Sequence, residues 1–185
     1  MQVRRLLAAP IAACLAACSA TQLAESESAA RFVQQHYGRI TVGADWTQVQ
    51  ADFLPDARIA RVRPEAPGLP ETSTVAEYFA RSAPHIDAQH SFSIRPMGLR
   101  AVVYDRVATV WASVEVEETS AGGQESVFAA VDVFCLARDE QDRWRISHLL
   151  WQTAVPSWPP DGERTSQPFT RDGVEVRLGF GYVGP

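Results

Sequence analysis

The stretch Ala108-Thr109-Val110-Trp111-Ala112-Ser113-Val114-Glu115-Val116 carries only alanine and valine at its even-numbered positions. Side chains of a β-strand point alternately to its two faces, so this stretch has one continuous apolar face. It runs on to Ser120-Ala121-Gly122-Gly123, a sequence typical of a tight turn. We therefore predict a long strand that buries one face and ends in that turn.

Strand patterns flank this stretch on both sides. Two long runs follow it, at 125–137 and 143–152, and the acidic turn Asp139-Glu140-Gln141-Asp142 joins them. Before it, Phe92 and Ile94 indicate one strand, and residues 101–104 form another short extended piece. Consecutive strands joined by short turns predict an antiparallel meander.

The preceding part of the chain has helical periodicity. Apolar residues recur at helical spacing from Phe32 to Ile40, and Asp45 is the predicted N-cap of a short second helix. Thr74 and Glu77 have the spacing of a capping box, which predicts a third helix over 73–81 that stops before Pro84. A strand at 58–63 separates the second and third helices. This order predicts an α+β fold in which three N-terminal helices pack on a strongly curved, mainly antiparallel sheet.

The first 18 residues are typical of an export signal. Residues 1–5 are positively charged, and residues 6–17 form an apolar run too short to cross a bilayer as a mature helix. Leu15-Ala16-Ala17-Cys18 resembles the lipobox at which bacterial lipoproteins are cleaved, so Cys18 is the predicted lipid-attachment residue. Cys14 fits the same pattern after a much shorter apolar run, and an ordinary secreted protein is the other alternative. Acyl chains such as palmitate on Cys18 would anchor the protein to a membrane.

This interpretation divides the chain into four parts. They are a signal peptide at 1–17, the lipidated cysteine and a small polar tether at 18–27, one domain at 28–153 and a Pro/Gly-rich tail at 154–185. Ser19 favours the periplasmic face of the outer membrane, because it lacks the aspartate associated with inner-membrane retention. Without residues 1–17 the chain has 15 basic and 22 acidic residues, a net charge of −7, so no nucleic-acid partner is expected.

The order of elements resembles the nuclear transport factor 2-like superfamily, whose cone-shaped α+β domain is shared by ketosteroid isomerase and the SnoaL-like cyclases. The residues that carry the resemblance lie at 43–46, 53–57, 73–81 and 142–147, within a span from Ser28 to Thr153. The resemblance implies a cone with an interior pocket. Members include enzymes, binding proteins and assembly subunits, so the fold barely constrains the function.

Ketosteroid isomerase allows a comparison by position. Tyr37 falls where that family has its oxyanion tyrosine, and Asp132 where it has a protonated acid. Arg61 occupies the position of the family's base and cannot accept a proton. If the protein is an enzyme, the resemblance implies Asp132 and Tyr37 as its catalytic residues, and it would need another base from His85 or His90, which we place in a loop.

The residues expected in the pocket are Tyr37, Trp46, Arg61 and Asp132. Alternation places Asp132 on one strand face with Phe128, Ala130, Phe134 and Leu136, where burial would raise its pKa. The alternative for Asp132 is a buried ion pair with Arg61 that only organises the interior. Tyr37 and Trp46 have the alternative of packing in the core.

Other motifs give little support for chemistry. The four histidines lack the spacing of a metal site, and we predict neither a metal nor a cofactor. His148 is expected on the buried face of its strand with Trp144, Ile146 and Leu150, and Cys135 is expected to be a buried thiol. The glycine string at 179–184 matches a dinucleotide-binding motif, but the chain ends one residue later and leaves no room for the required helix.

Three functions follow as hypotheses. The first is a non-catalytic envelope lipoprotein that binds a small apolar ligand or a protein partner. The second is a small-molecule isomerase, dehydratase or cyclase. The third is an assembly subunit of an envelope complex, since sheets of this fold often pair face to face as homodimers.

Overall fold

The computed structural model describes residues 8–63, 68–153, 169–171 and 174–176. These residues form three α-helices, α1 (Ala8–Tyr37), α2 (Trp46–Gln50) and α3 (Val75–Asp87). The strands are β1 (Phe53–Val62), β2 (Glu71–Thr74), β3 (Gln89–Tyr104), β4 (Val107–Ser120), β5 (Glu125–Arg138), β6 (Trp144–Thr153), β7 (Phe169–Arg171) and β8 (Val174–Val176). The α+β class predicted from the sequence is confirmed.

Six of the strands form one curved sheet in the order β2-β1-β6-β5-β4-β3. The β3–β6 run is the predicted antiparallel meander, and β1 inserts beside β6 as the parallel neighbour. Strand β4 has the predicted faces, because its even-numbered residues from 108 to 116 are all buried. β7 and β8 pair with each other in a separate two-stranded sheet.

The predicted helix starts are confirmed in atomic detail. The carboxylate of Asp45 accepts hydrogen bonds from the backbone N–H groups of Thr47 and Gln48, both at 3.1 Å. Thr74 and Glu77 form a reciprocal capping box at the start of α3. These two caps satisfy backbone donors that a helix cannot pair internally, which fixes where each helix begins.

Several predicted boundaries were wrong. The strand predicted at 58–63 spans Phe53–Val62, and the helix predicted from residue 73 starts at Val75 because residues 71–74 form strand β2. The strand pieces at 92–94 and 101–104 belong to one strand, β3, which pairs with β4 along its whole length despite register shifts near Ser91 and Gly98. Helix α3 does not stop before Pro84 but continues to Asp87. Ala83 and Ile86 are buried there, and we attribute the extra turn to this packing, which offsets the hydrogen bond that proline cannot make.

Strand β6 contains a β-bulge at Ser147. Ile146 pairs with Leu136 and His148 pairs with the adjacent Cys135, so Ser147 is an extra residue in the ladder. Its hydroxyl donates a 2.9 Å hydrogen bond to the carbonyl oxygen of Cys135. Beyond the bulge, Leu149 faces the interior and His148 is exposed, which corrects the predicted placement of His148.

Cys135 also differs from the prediction, because its side chain is exposed on the outer face of the sheet. It alternates along β5 with Phe134 and Leu136, which are buried. The interior of the domain therefore lies on one side of the sheet, between its concave face and the helices.

Helix α1 includes the residues predicted as signal peptide and tether. Within the predicted tether, Glu25 forms a salt bridge with Arg138 of β5, so contact with the domain already exists at that residue. The division into signal peptide, lipidated Cys18, tether and tail stays a prediction, and most of the tail lies outside the described residues. No helix in the described part of the chain is long and apolar enough to span a membrane.

Candidate functional site

A cavity of about 550 Å³ lies between the concave face of the sheet and helices α1 and α3. Most of its wall is aliphatic and aromatic, with contributions from every strand of the six-stranded sheet. Cavities of this size and character are typical of small-molecule sites in proteins. Three of the four predicted pocket residues, Tyr37, Arg61 and Asp132, line it.

Tyr37 and Asp132 form a buried hydrogen-bonded pair on the cavity wall. The Tyr37 hydroxyl donates to Oδ2 of Asp132 at 2.6 Å, and the two residues are 3% and 8% exposed. Burial raises the pKa of Asp132 to about 6, although the hydrogen bond from Tyr37 acts in the opposite direction. Burial, together with the nearby carboxylate, holds the pKa of Tyr37 well above its ordinary value. Tyr37 is therefore a neutral donor at physiological pH, whereas Asp132 gains or loses its proton close to that pH.

The periodicity of the helix and of the strand places both side chains on the cavity wall. Tyr37 lies one helical turn after the buried Val33 in α1, and its ring packs edge-to-face on Phe134, with centroids 5.5 Å apart. Asp132 lies between Ala130 and Phe134 on the inner face of β5, as alternation predicts.

A row of cross-strand neighbours continues from Asp132 towards the edge of the sheet. Asp132 pairs with Trp151 of β6, and Trp151 pairs with Arg61 of β1. The Arg61 guanidinium stacks over the Trp151 ring at 4.8 Å from its centroid. Within the described residues Arg61 forms no salt bridge with Asp132, and Trp151 lies between the two in the ladder, so the alternative of a buried ion pair is not observed.

Two N–H groups in this row lack partners. Nε of Arg61 and Nε1 of Trp151 are buried, and no described residue offers either of them an acceptor. Tyr78 of α3 lies over the row, with its ring 6.5 Å from that of Trp151. Burial raises the pKa of Tyr78 to about 12, the Asp132 carboxylate adds to the rise, and Arg61 opposes it. Tyr78 is therefore a further neutral hydroxyl beside the cavity.

A second buried polar group was not expected from the sequence. His36 is 1% exposed and lines the cavity next to Tyr37. Its Nδ1 lies 2.8 Å from Oδ2 of Asp52, and Nη2 of Arg39 forms a salt bridge with the same oxygen at 2.9 Å. The only sequence signal was the spacing of His36 on the apolar side of α1, because Asp52 joins it through a turn that periodicity does not resolve.

Other predicted site residues lie elsewhere. Trp46 is not part of the cavity wall, because its indole packs on Phe79 and donates through Nε1 to Asp87 at 2.9 Å. His85 lies in the last turn of α3 at the rim of the cavity, 3.4 Å from Glu118, and His90 is exposed in β3, so neither is in a loop. The described residues contain no cluster of three His, Cys, Asp or Glu side chains that could hold a metal ion.

The fold resembles several solved structures at low sequence identity. A nuclear transport factor 2-like superfamily protein from Salmonella enterica is 12% identical, with a TM-score of 0.53 over 78% of this chain and 99% of that one. A protein from Novosphingobium aromaticivorans designated a scytalone dehydratase is 13% identical, with a TM-score of 0.59 over 74% and 89%. The beta subunit of a protein designated an aromatic-ring-hydroxylating dioxygenase, from the same organism, is 17% identical, with a TM-score of 0.57 over 72% and 91%.

Neither a protein-family model nor a curated protein sequence matches this chain. The likeness to these solved structures, all of them below 20% identity, therefore concerns the fold alone. Proteins of different activities share this fold, so the likeness speaks for architecture and leaves the chemistry to the residues of the cavity. The chain has the nuclear transport factor 2-like fold.

Proposed function

We propose that this domain binds a small, mainly apolar molecule in the cone cavity and holds one polar group of that molecule against Tyr37 and Asp132. The observation that carries the proposal is the buried 2.6 Å hydrogen bond between these residues on a wall that is mostly aliphatic and aromatic. A buried acid is costly to a protein, and its presence beside a cavity is typical of a binding or reaction site.

The pair can serve a ligand in two protonation states. Below about pH 6 Asp132 is protonated and can donate a hydrogen bond to a ligand carbonyl or hydroxyl. Above it, the carboxylate accepts the hydrogen bond from Tyr37 and can accept another from a ligand hydroxyl. An apolar ligand that excludes water would disfavour the charged form further, so binding and protonation of Asp132 would be coupled.

The proposal includes attachment to the cell envelope. Acyl chains on Cys18 would hold the domain at a membrane surface, with the periplasmic face of the outer membrane as the preferred location. A domain placed there would meet apolar molecules that partition into the bilayer.

A proton-transfer enzyme is the second candidate, and the pairing of His36 with Asp52 favours it. If Nδ1 of His36 carries the proton that bonds to Asp52, its Nε2 is left as a proton acceptor beside the same cavity as Tyr37 and Asp132. This supplies the base that Arg61 cannot provide, with Tyr37 and Asp132 as donors to a developing oxyanion. An isomerase, dehydratase or cyclase would use such an arrangement.

A homodimer or an assembly partner is a further possibility, supported by the outer face of the sheet. Exposed apolar side chains concentrate there, on β3 to β6: Val102, Tyr104, Val107, Trp111, Val127 and Leu150. Exposed apolar patches of this kind are typical of protein interfaces.

Blocking the cavity tests the binding proposal. Ala130 is buried on the cavity wall, and its neighbour Ala129 is exposed on the opposite face of β5. We expect Ala130→Trp to abolish the binding of apolar probes measured by titration calorimetry, and Ala129→Trp to leave it unchanged. Equal binding by both variants would contradict a site inside the cone.

The same preparation separates the binding protein from the enzyme. Under the enzyme hypothesis, His36→Gln would stop turnover of a ligand while leaving its affinity nearly unchanged. Under the binding hypothesis, ligands recovered after long incubation with the wild-type protein would be chemically unaltered.

A further inference from the structure

Three arginines line the cavity, Arg61, Arg63 and Arg81, and Arg81 donates a 2.6 Å hydrogen bond to the hydroxyl of Ser73. Arg63 pairs with Glu71 at 2.7 Å, and His85 lies 3.4 Å from Glu118. Arg61 also lines the cavity, but it has no acidic partner within salt-bridge distance among the described residues, although Glu71 is its cross-strand neighbour. The remaining acid, Asp132, lies on the far side of Trp151 in the ladder and forms no salt bridge with Arg61 among the described residues.

Two buried N–H donors, one on Arg61 and one on Trp151, lack acceptors among the described residues. They are Nε of Arg61 and Nε1 of Trp151, and both side chains line the cavity. A buried N–H group without an acceptor costs free energy, so it is normally paired. The stacking of Arg61 on Trp151 holds the two side chains together before any ligand arrives.

We propose that the cavity takes an apolar carboxylic acid, with its carboxylate bound by Arg61 and Trp151 and its apolar body enclosed by the cone. A carboxylate offers two acceptor oxygens and one negative charge, which match the two unpartnered N–H donors and the charge of the guanidinium that carries one of them. This inference rests on the proposed binding function and adds the chemical class of the ligand.

The position of the donors also gives the ligand a direction. Arg61 lies on β1, beside the edge strand β2, whereas the Tyr37–Asp132 pair lies further along the row on β5. A ligand with its carboxylate at Arg61 therefore extends past Trp151 towards Tyr37 and Asp132. A second polar group on such a molecule, a carbonyl or hydroxyl, would meet that pair.

Matched probes test the inference on the unmodified full chain. We choose 2-naphthylacetate with 2-naphthylacetamide, and decanoate with decanamide, because each pair shares one apolar body and differs in the charge of its head. Titration calorimetry at pH 8 is expected to give about ten- to hundredfold tighter binding of each acid, the usual value of a hydrogen bond to a charged group. Equal affinity for acid and amide would overturn the inference and leave the binding function intact.

Two arginine variants locate the effect. Arg61→Gln should remove the preference for the acid, while Arg63→Gln should keep it, because Arg63 lines the same cavity but already pairs with Glu71. Trp151→Phe should weaken binding of the acid more than that of the amide, since it removes one donor and keeps an aromatic ring under Arg61. Circular dichroism and thermal unfolding verify that each variant folds.

The remaining outcomes are also decisive. Equal loss of preference in the Arg61 and Arg63 variants would mean that general charge attracts the acid, and it would overturn the assigned donors. If neither pair of probes binds the wild-type protein at millimolar concentration, the proposed binding function fails together with the inference.

Discussion

The hydroxyl of Tyr37 lies 2.6 Å from Oδ2 of Asp132, and the two residues are 95 positions apart in the chain. Their hydrogen bond joins the first helix to the centre of the sheet at the wall of the cavity. Because burial raises the pKa of the accepting acid, the stability of the domain depends on pH.

The first prediction concerns Asp132→Asn. The pKa of Asp132 rises from its ordinary 3.8 to about 6 on folding, so the folded state retains a proton that the unfolded state has released. The free energy of unfolding contributed by this group therefore falls as the pH rises from about 4 to 6, by about 3 kcal/mol in all. The amide removes this loss and still accepts from Tyr37. Relative to wild type, the variant should gain stability in urea unfolding at pH 7.5 compared with pH 4.

Two further variants test this explanation. Asp56→Asn changes an exposed acid and should show no pH-dependent gain. Tyr37→Phe removes the hydrogen bond that lowers the pKa of Asp132, so that pKa should rise further. A loss of stability in Asp132→Asn that is the same at both pH values would show that the acid acts as an ordinary structural partner.

Asp52→Asn should destabilise the domain by about 3 kcal/mol at pH 7.5, as expected when one partner of a buried ionic group is removed. Asp52 is 5% exposed and its Oδ2 serves both His36 and Arg39. Urea unfolding followed by circular dichroism measures the effect, with the exposed Asp56→Asn as the matched control. A change below about 1 kcal/mol would place the pair among weak surface salt bridges.

Cys18→Ser should abolish lipid attachment. Metabolic labelling with a palmitate analogue in a bacterial host, followed by membrane fractionation, measures this directly. Cys14→Ser is the matched control and should keep both label and membrane location. Label that persists in Cys18→Ser and disappears in Cys14→Ser would move the anchor to Cys14, and absence of label in the wild type would favour an ordinary secreted protein.

Trp111→Glu should make the protein monomeric if the outer face of the sheet forms a homodimer. Trp111 is 43% exposed near the middle of β4, where a carboxylate would be costly to bury in an interface. Sedimentation velocity over a range of concentrations reports the mass. Leu69→Glu, which changes a fully exposed residue in the loop before β2, should leave the mass unaltered.

Much of the fold could be predicted because the strongest periodic signals coincide with real elements. The uninterrupted alternation of β4 and β5 placed Asp132 on the inner face, and helical spacing placed Tyr37 on the inner side of α1. The helix caps at Asp45 and Thr74 could also be predicted, because each cap depends on a few adjacent residues.

Contacts that depend on three-dimensional proximity were not predictable in the same way. His36 and Asp52 meet through a turn between α2 and β1, and the sequence carries no periodic signal for that approach. An ion pair between Arg61 and Asp132 was an alternative because both residues were expected in the pocket. Their separation by a whole strand follows from the insertion of β1 beside β6, which a meander does not predict.

The bulge at Ser147 also prevented the sequence from predicting Trp151 as a cavity residue. Simple alternation from Trp144 places Trp151 on the outer face of the sheet. The extra residue shifts the alternation by one position. As a result Trp144 and Ile146 before it, and Leu149 and Trp151 after it, all face inward. Deleting Ser147 should therefore straighten the strand and leave Trp151 inside, whereas deleting both Ser147 and Leu149 should turn Trp151 out, a difference that tryptophan fluorescence would report. The ligand preference of the cone is thus open to change by the length of one strand, without any substitution in the cavity wall.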